Sequence, residues 1–173
     1  MRPELKYGLI AGLGMSGWLF AEFLLGLHTT RLEIGTYTTW GTEIILVVAL
    51  WFFLRRKLAN LKLYWLPLWK GLLYGTLTSF VAGLVLYIYY SYYLGFLNPE
   101  WPDLYINWQV AHMRAHHASE ESVLSFAKTF RWSVTAPGLV FNIIGLYTLL
   151  GTVVSSILTL WLNWRHKEPV QTG

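Results

Sequence analysis

Apolar residues gather in four long runs, at residues 7–27, 36–54, 69–93 and 137–162, and the polar residues crowd between them. A bilayer core of ~30 Å takes about 20 helical residues at ~1.5 Å rise each, and each run is close to that length or longer. The pattern therefore predicts an all-α, integral membrane four-helix bundle occupying the whole chain, 1–173, as one domain. The first run follows Arg2 and Lys6 as a signal peptide would, but it is long and ends in Leu-Leu-Gly-Leu-His without a small-x-small cleavage pattern. It reads as a retained span.

Between the runs the pattern changes twice. Residues 57–69 set Leu58, Leu61, Leu63 and Leu66 among basic and aromatic side chains, which suits an interfacial segment before Pro67 opens the third helix. Residues 98–133 form the one sizeable polar segment. There Asp103 is expected to cap a short helix, and Ser119 a second one whose Val123, Phe126, Ala127 and Phe130 make an apolar stripe lying on the bundle's outer surface.

Composition and charge then fix the solvent and the orientation. The chain is 55% hydrophobic and 13% charged, with no cysteine, which excludes a disordered chain, a disulfide scaffold and a conventional soluble enzyme. Its formal charge of +4 lies beside the apolar runs, so it reads as membrane orientation rather than nucleic-acid binding. Nine Lys and Arg fall at the termini and around the second connection, against four in the first connection and in residues 98–133. Both termini are thus expected in the cytoplasm, as an even number of spans also requires. Trp65, Trp69, Trp161 and Trp164 mark the inner boundary, and Trp40, Trp132 and the tyrosines from Tyr87 to Tyr93 mark the outer one.

Helices in lipid associate through close backbone approach, which small residues permit. Gly71, Gly75, Ser79 and Gly83 recur every four residues along the third run; Gly8, Gly12 and Ser16 stand in the first, and Gly151 and Ser155 in the fourth. Such stripes seat helices within one chain, the reading preferred here, or join two chains as a homodimer.

Trp69-Lys70-Gly71 before a small-residue helix, then Tyr87-Ile88-Tyr89-Tyr90 and Leu97-Asn98-Pro99-Glu100, resembles the third span and outer boundary of the domain-of-unknown-function family 4199, a bacterial membrane family. The stretch from Lys6 to Gly12 and a last span with Gly151 and Ser155 before a basic end are similar too. The resemblance covers essentially the whole chain. It implies a four-helix protein of the bacterial cytoplasmic membrane, and it carries over no activity and no catalytic residue. The abundance of Trp and the histidine cluster depart from the pattern.

Chemistry has few places to sit. Glu22 and Glu43 lie inside predicted spans, where an acid is expensive, and both fall roughly 8 to 10 Å below the outer boundary. Facing each other they would share a proton or a cation; otherwise each is a hydrogen-bonded structural carboxyl, with Thr38, Thr39, Thr42, Asn142 and Thr148 as neutral partners. Below that layer the spans look dry. His112 and His116 have i, i+4 metal-ligand spacing, but the helix break expected at Ser119 removes Glu120 as a third ligand, so a solvated face is preferred. His28 and His166 stand at span edges, and no hydrolase elbow, phosphate loop or HExxH motif occurs.

The sequence therefore predicts a non-enzymatic structural or accessory component of the bacterial inner membrane, without a cofactor, acting through a membrane-protein partner or a second copy. The alternatives are a proton- or cation-linked transport subunit using Glu22 and Glu43, and an outer-surface metal-binding protein using His112 and His116.

Overall fold

Pro3 can occupy the first turn of a helix because its missing N–H needs no partner there, and it opens α1 (Pro3–Leu24) in the computed structural model, which describes residues 1–60 and 65–165. Gly26, at φ +73°, turns the chain, and the Leu27 amide donates back to the Glu22 carbonyl at 3.0 Å. The second crossing has two parts, α2 (Leu32–Thr38) and α3 (Gly41–Asn60), separated at Thr39 and Trp40. It thus starts before residue 36 and is broken where a continuous helix was expected. Gly35 makes the α2 packing feasible, because a methyl there would overlap the Leu27 carbonyl.

At its other end α3 continues past residue 54 through Arg55 and Arg56, and Lys57 and Leu58, expected in an interfacial segment, belong to the same helix. The continuation has an electrostatic and an apolar cause. Lys57 Nζ donates to Glu4 Oε1 of α1 at 3.0 Å and lies 4.4 Å from the Tyr74 ring centre, while Leu58 is buried. Leu61, Lys62 and Leu63, and also His166 and Lys167, lie outside the described residues.

Pro67 stands at the N-cap of α4 (Leu68–Tyr92), which widens into a π-helical turn at Tyr93–Leu97. Helices α5 (Trp101–Ala115) and α6 (Glu120–Ser133) then form an antiparallel hairpin across one end of the bundle. Ser119 caps α6, its Oγ accepting the Ser122 amide. Asp103 caps nothing. Pro102 places the helix start earlier, so Asp103 sits in the first turn of α5 and faces Arg131 of α6 at 3.8 Å. Thr135 caps the short α7 (Ala136–Leu139), a second π-helical turn follows at Val140–Gly145, and α8 (Leu146–Arg165) completes the fourth crossing.

The described residues contain no strand, and four helical stretches, Pro3–Leu24, Leu32–Ala59, Leu68–Leu97 and Ala136–Arg165, are long and apolar enough to cross a membrane. They pack as a ring in the order α1, α4, α8, α3. The seams explain the order. On one face of α4, methyls added at Gly71 and Gly75 would strike Thr159 and Ser155 of α8, one at Gly151 would strike Ser79, and Gly83 lies against the backbone at Ile143 and Ile144. On another face, Gly8 and Gly12 of α1 press on Val81 and Val85 and on the carbonyls of Thr78 and Ala82, while Ser16 donates to its own helix at the Gly12 carbonyl. Every small residue singled out in the third and fourth spans therefore packs inside one chain. The space between the helices is filled by Met15, Leu46, Leu50 and Leu86, and toward the chain-terminal end by Phe53, Leu54, Leu58, Leu66 and Leu162.

Candidate functional site

Glu22 and Glu43 lie toward the hairpin end, each in its own hydrogen-bond network, and no hydrogen bond joins them. Glu22, near the end of α1, is 2% exposed. Trp18, one turn earlier, donates its indole N–H to Glu22 Oε1 at 2.8 Å and reaches the Thr38 carbonyl at 3.0 Å, so the same ring closes the α1–α2 seam. His28 follows the Gly26 turn and brings Nε2 to 3.3 Å from Glu22 Oε2, with Nδ1 2.9 Å from the Tyr93 hydroxyl. Asn98 Nδ2 donates to that hydroxyl at 2.8 Å. One assignment satisfies the chain: Asn98 donates to Tyr93, Tyr93 to His28 Nδ1, and His28 Nε2–H to Glu22.

Glu43 sits in the first turn of α3 and shares its donors with other acceptors. Tyr147 of α8 donates to Oε1 at 3.1 Å, and Thr42 is 3.0 Å from Oε2. Thr42 has a single proton, however, and the Thr39 carbonyl competes for it at 2.8 Å; Thr42 and Tyr147 are themselves 2.8 Å apart. Two hydroxyl protons thus serve the carboxylate, a hydroxyl and a carbonyl together. Glu22 receives one N–H on each oxygen, whereas the hydroxyl donors of Glu43 are shared with other acceptors, so Glu43 keeps unused acceptor capacity.

Glu43 also borders open space on two sides. Toward the hairpin is a cavity of about 320 Å³, lined by Glu43, His28, Tyr90 and Thr39 from the bundle and by Trp101, Tyr105 and Phe130 from α5 and α6. Between α3 and α8 is a mostly apolar groove of about 440 Å³ that Glu43 shares with Asn142, Tyr147 and four aliphatic side chains. Asn142 does not bond either carboxylate; its amide reaches the Ser133 carbonyl at 3.5 Å. Thr148 donates to the Ile144 carbonyl, within its own helix.

The polar layer ends there. Below it Met15, Leu46, Leu50 and Leu86 have essentially no exposure, and only hydroxyls follow along the α4–α8 seam, where Thr76 and Thr152 meet at 2.8 Å. Sequence reasoning missed three members of the layer. Trp18 and Tyr147 are ordinary span residues by pattern, and the cue for Trp18 was its i, i+4 spacing to Glu22. His28, read as an edge residue, is half-buried because Gly26 folds it back over the end of α1.

His112 and His116 do stand side by side, ring centres 4.2 Å apart, at the end of α5. His116 Nδ1 is 2.8 Å from the His112 carbonyl, and His117 leaves the helix at φ +60°. Glu120 points elsewhere and accepts both Nε and Nη2 of Arg114 at 2.9 Å. That guanidinium holds the Glu120 carboxyl below its usual range. Among the described residues no group of three or more His, Asp or Glu is placed to hold a metal ion.

The family model described as "Protein of unknown function (DUF4199)" matches residues 6–163, and the chain belongs to that family. No curated protein and no solved structure matches the chain.

Proposed function

We propose that this DUF4199 member is a non-enzymatic structural or accessory component of the bacterial cytoplasmic membrane, with both termini in the cytoplasm and the α5–α6 hairpin outside, acting through a membrane-protein partner or a second copy. The observation that carries this reading is the filled interior beneath the carboxylate layer. Met15, Leu46, Leu50 and Leu86 close the bundle axis directly beneath Glu22 and Glu43, and the polar groups that follow along the α4–α8 seam are neutral hydroxyls packed between helices, which favours a holding role over conduction. Glu22 ties α1, α2 and the end of α4 together, a holding role.

The hairpin offers a surface for a partner outside the apolar spans, since Leu124 is 68% and Leu104 38% exposed there. Photo-cross-linking residues placed at those positions in cells are expected to give a discrete adduct, while the same residue at lipid-facing Leu149 gives none. Monomer alone after gentle detergent extraction, with no adduct at either position, overturns the reading. Accessibility of Arg55 to an impermeant reagent added outside intact cells overturns the orientation.

Glu43 motivates a second reading, proton- or cation-linked transport, because it borders both the hairpin-end cavity and the lateral groove. Ion flux into proteoliposomes that disappears in Glu43→Gln supports it; absence of flux removes it.

A further inference from the structure

The hairpin-end cavity combines features that other cavities in the fold do not. Its walls include three rings from α5 and α6 already packed on one another: Trp101 and Tyr105 lie 5.6 Å apart, Tyr105 and Phe130 4.8 Å, and Trp101 and Phe130 5.8 Å. Tyr90 of α4, Glu43 of α3 and His28 line the same cavity. No Lys or Arg lines the cavity among the described residues, although the chain as a whole carries +4. By contrast, the small cavity at the chain-terminal end, about 180 Å³, is bordered by Lys6, Arg56 and Lys57.

Aromatic faces present negative charge from the ring quadrupole, and a carboxylate with unused acceptor capacity adds a full one. Neither feature attracts an anion, and a neutral apolar guest would strand the carboxylate. A compact inorganic cation would demand several oxygen ligands, and the lining offers one carboxylate, Glu43, with the Thr36, Thr39 and tyrosine hydroxyls and the His28 ring, whose two nitrogens already meet Tyr93 and Glu22. An ammonium group with carbon or hydrogen substituents matches both the carboxylate and the apolar part of the lining: charge toward Glu43, apolar substituents against the rings and against Leu19, Leu27 and Leu32. At about 320 Å³ the cavity lies at the small end of the ligand range, which suits a headgroup-sized guest.

From this geometry we infer that the cavity formed by Trp101, Tyr105, Phe130, Tyr90 and Glu43 is a binding site for an organic ammonium cation. The same group occurs on a free amine such as choline and on an ethanolamine lipid headgroup, and the cavity recognises their shared chemistry. This inference is independent of the accessory role proposed above and survives its failure.

The test is calorimetric titration of the purified full chain, in nanodiscs of phosphatidylglycerol, with tetramethylammonium chloride. Saturable binding is expected, with no binding of the neutral isostere 3,3-dimethyl-1-butanol or of sodium chloride at equal ionic strength. Glu43→Gln and Trp101→Leu are each expected to weaken binding about tenfold or more, with melting temperatures measured alongside. Two variants are used so that misfolding of one leaves the other informative. Repeating the titration in nanodiscs containing phosphatidylethanolamine identifies the source: competition assigns the site to the lipid headgroup, and unchanged affinity assigns it to a soluble amine. Absence of tetramethylammonium binding, equal binding of the isostere, or undiminished affinity in a folded variant overturns the inference.

Discussion

His28 stands between Glu22 and Tyr93, with Nε2 3.3 Å from one and Nδ1 2.9 Å from the other, so a residue beyond the end of α1 fastens that helix to the end of α4. Replacing His28 with Leu removes a donor from a carboxylate that is 2% exposed and leaves Tyr93 without its acceptor. An unfilled buried polar group costs about 1–3 kcal/mol. The expected result is a clear fall in melting temperature in detergent, and His28→Asn recovers part of it by restoring one bond.

The α4–α8 seam gives a sharper contrast between similar substitutions. Gly75→Val drives a side chain into Ser155, whereas Gly17, on α1, has nothing within 4 Å of an added methyl. Gly75→Val is expected to destabilise by about 1–3 kcal/mol or more through overpacking. Gly17→Ala is expected to stabilise by roughly 0.5–1 kcal/mol through helix propensity. Detergent melting of both variants checks the pair together. Equal effects refute the seam.

Asn163 makes two hydrogen bonds to a single residue across the chain: its Oδ1 accepts the Leu66 amide and its Nδ2 donates to the Leu66 carbonyl, both at 2.8 Å. Asn163→Leu strands both backbone groups in a buried setting, an expected loss of about 1–3 kcal/mol for each. Asn163→Asp sets a carboxyl oxygen against the Leu66 carbonyl in a buried setting, so its melting temperature is also expected to fall below wild type.

The hairpin carries the pH dependence that can be read from outside the spans. Arg114 lowers the Glu120 carboxyl pKa through a paired hydrogen bond, so the folded value lies below the unfolded one. The contribution is fully present above the unfolded pKa and is lost as pH falls through the folded value. Protection factors at the α5–α6 turn, in which the intrinsic slowing of exchange by acid is divided out, are expected to fall on acidification and at high salt. In Glu120→Gln that acid-dependent step disappears.

Much of the architecture was legible because lipid imposes long uninterrupted apolar runs, and each run appears as a helical crossing. The interruption at Thr39 and Trp40 had a cue that the span length masked: residues 36–43, Thr-Tyr-Thr-Thr-Trp-Gly-Thr-Glu, are rich in threonine rather than apolar, and Gly41 directly follows the break. The end of α3 was misplaced for a different reason. Arg55, Arg56 and Lys57 read as headgroup residues, while the partner that keeps Lys57 helical, Glu4, is 53 residues away. In the carboxylate layer the acids announced themselves, but Trp18, His28 and Tyr147 became partners only through tertiary approach. Asp103 looked like a cap because composition reports residue type without reporting where Pro102 sets the first turn.

The Asn163–Leu66 clamp spans 97 residues of sequence. The amide and carbonyl just before α4 must therefore wait, during synthesis, for the last helix to leave the ribosome before they find their permanent mates. A nascent chain halted after its third crossing lacks the side chain that closes this junction, and α8 supplies it.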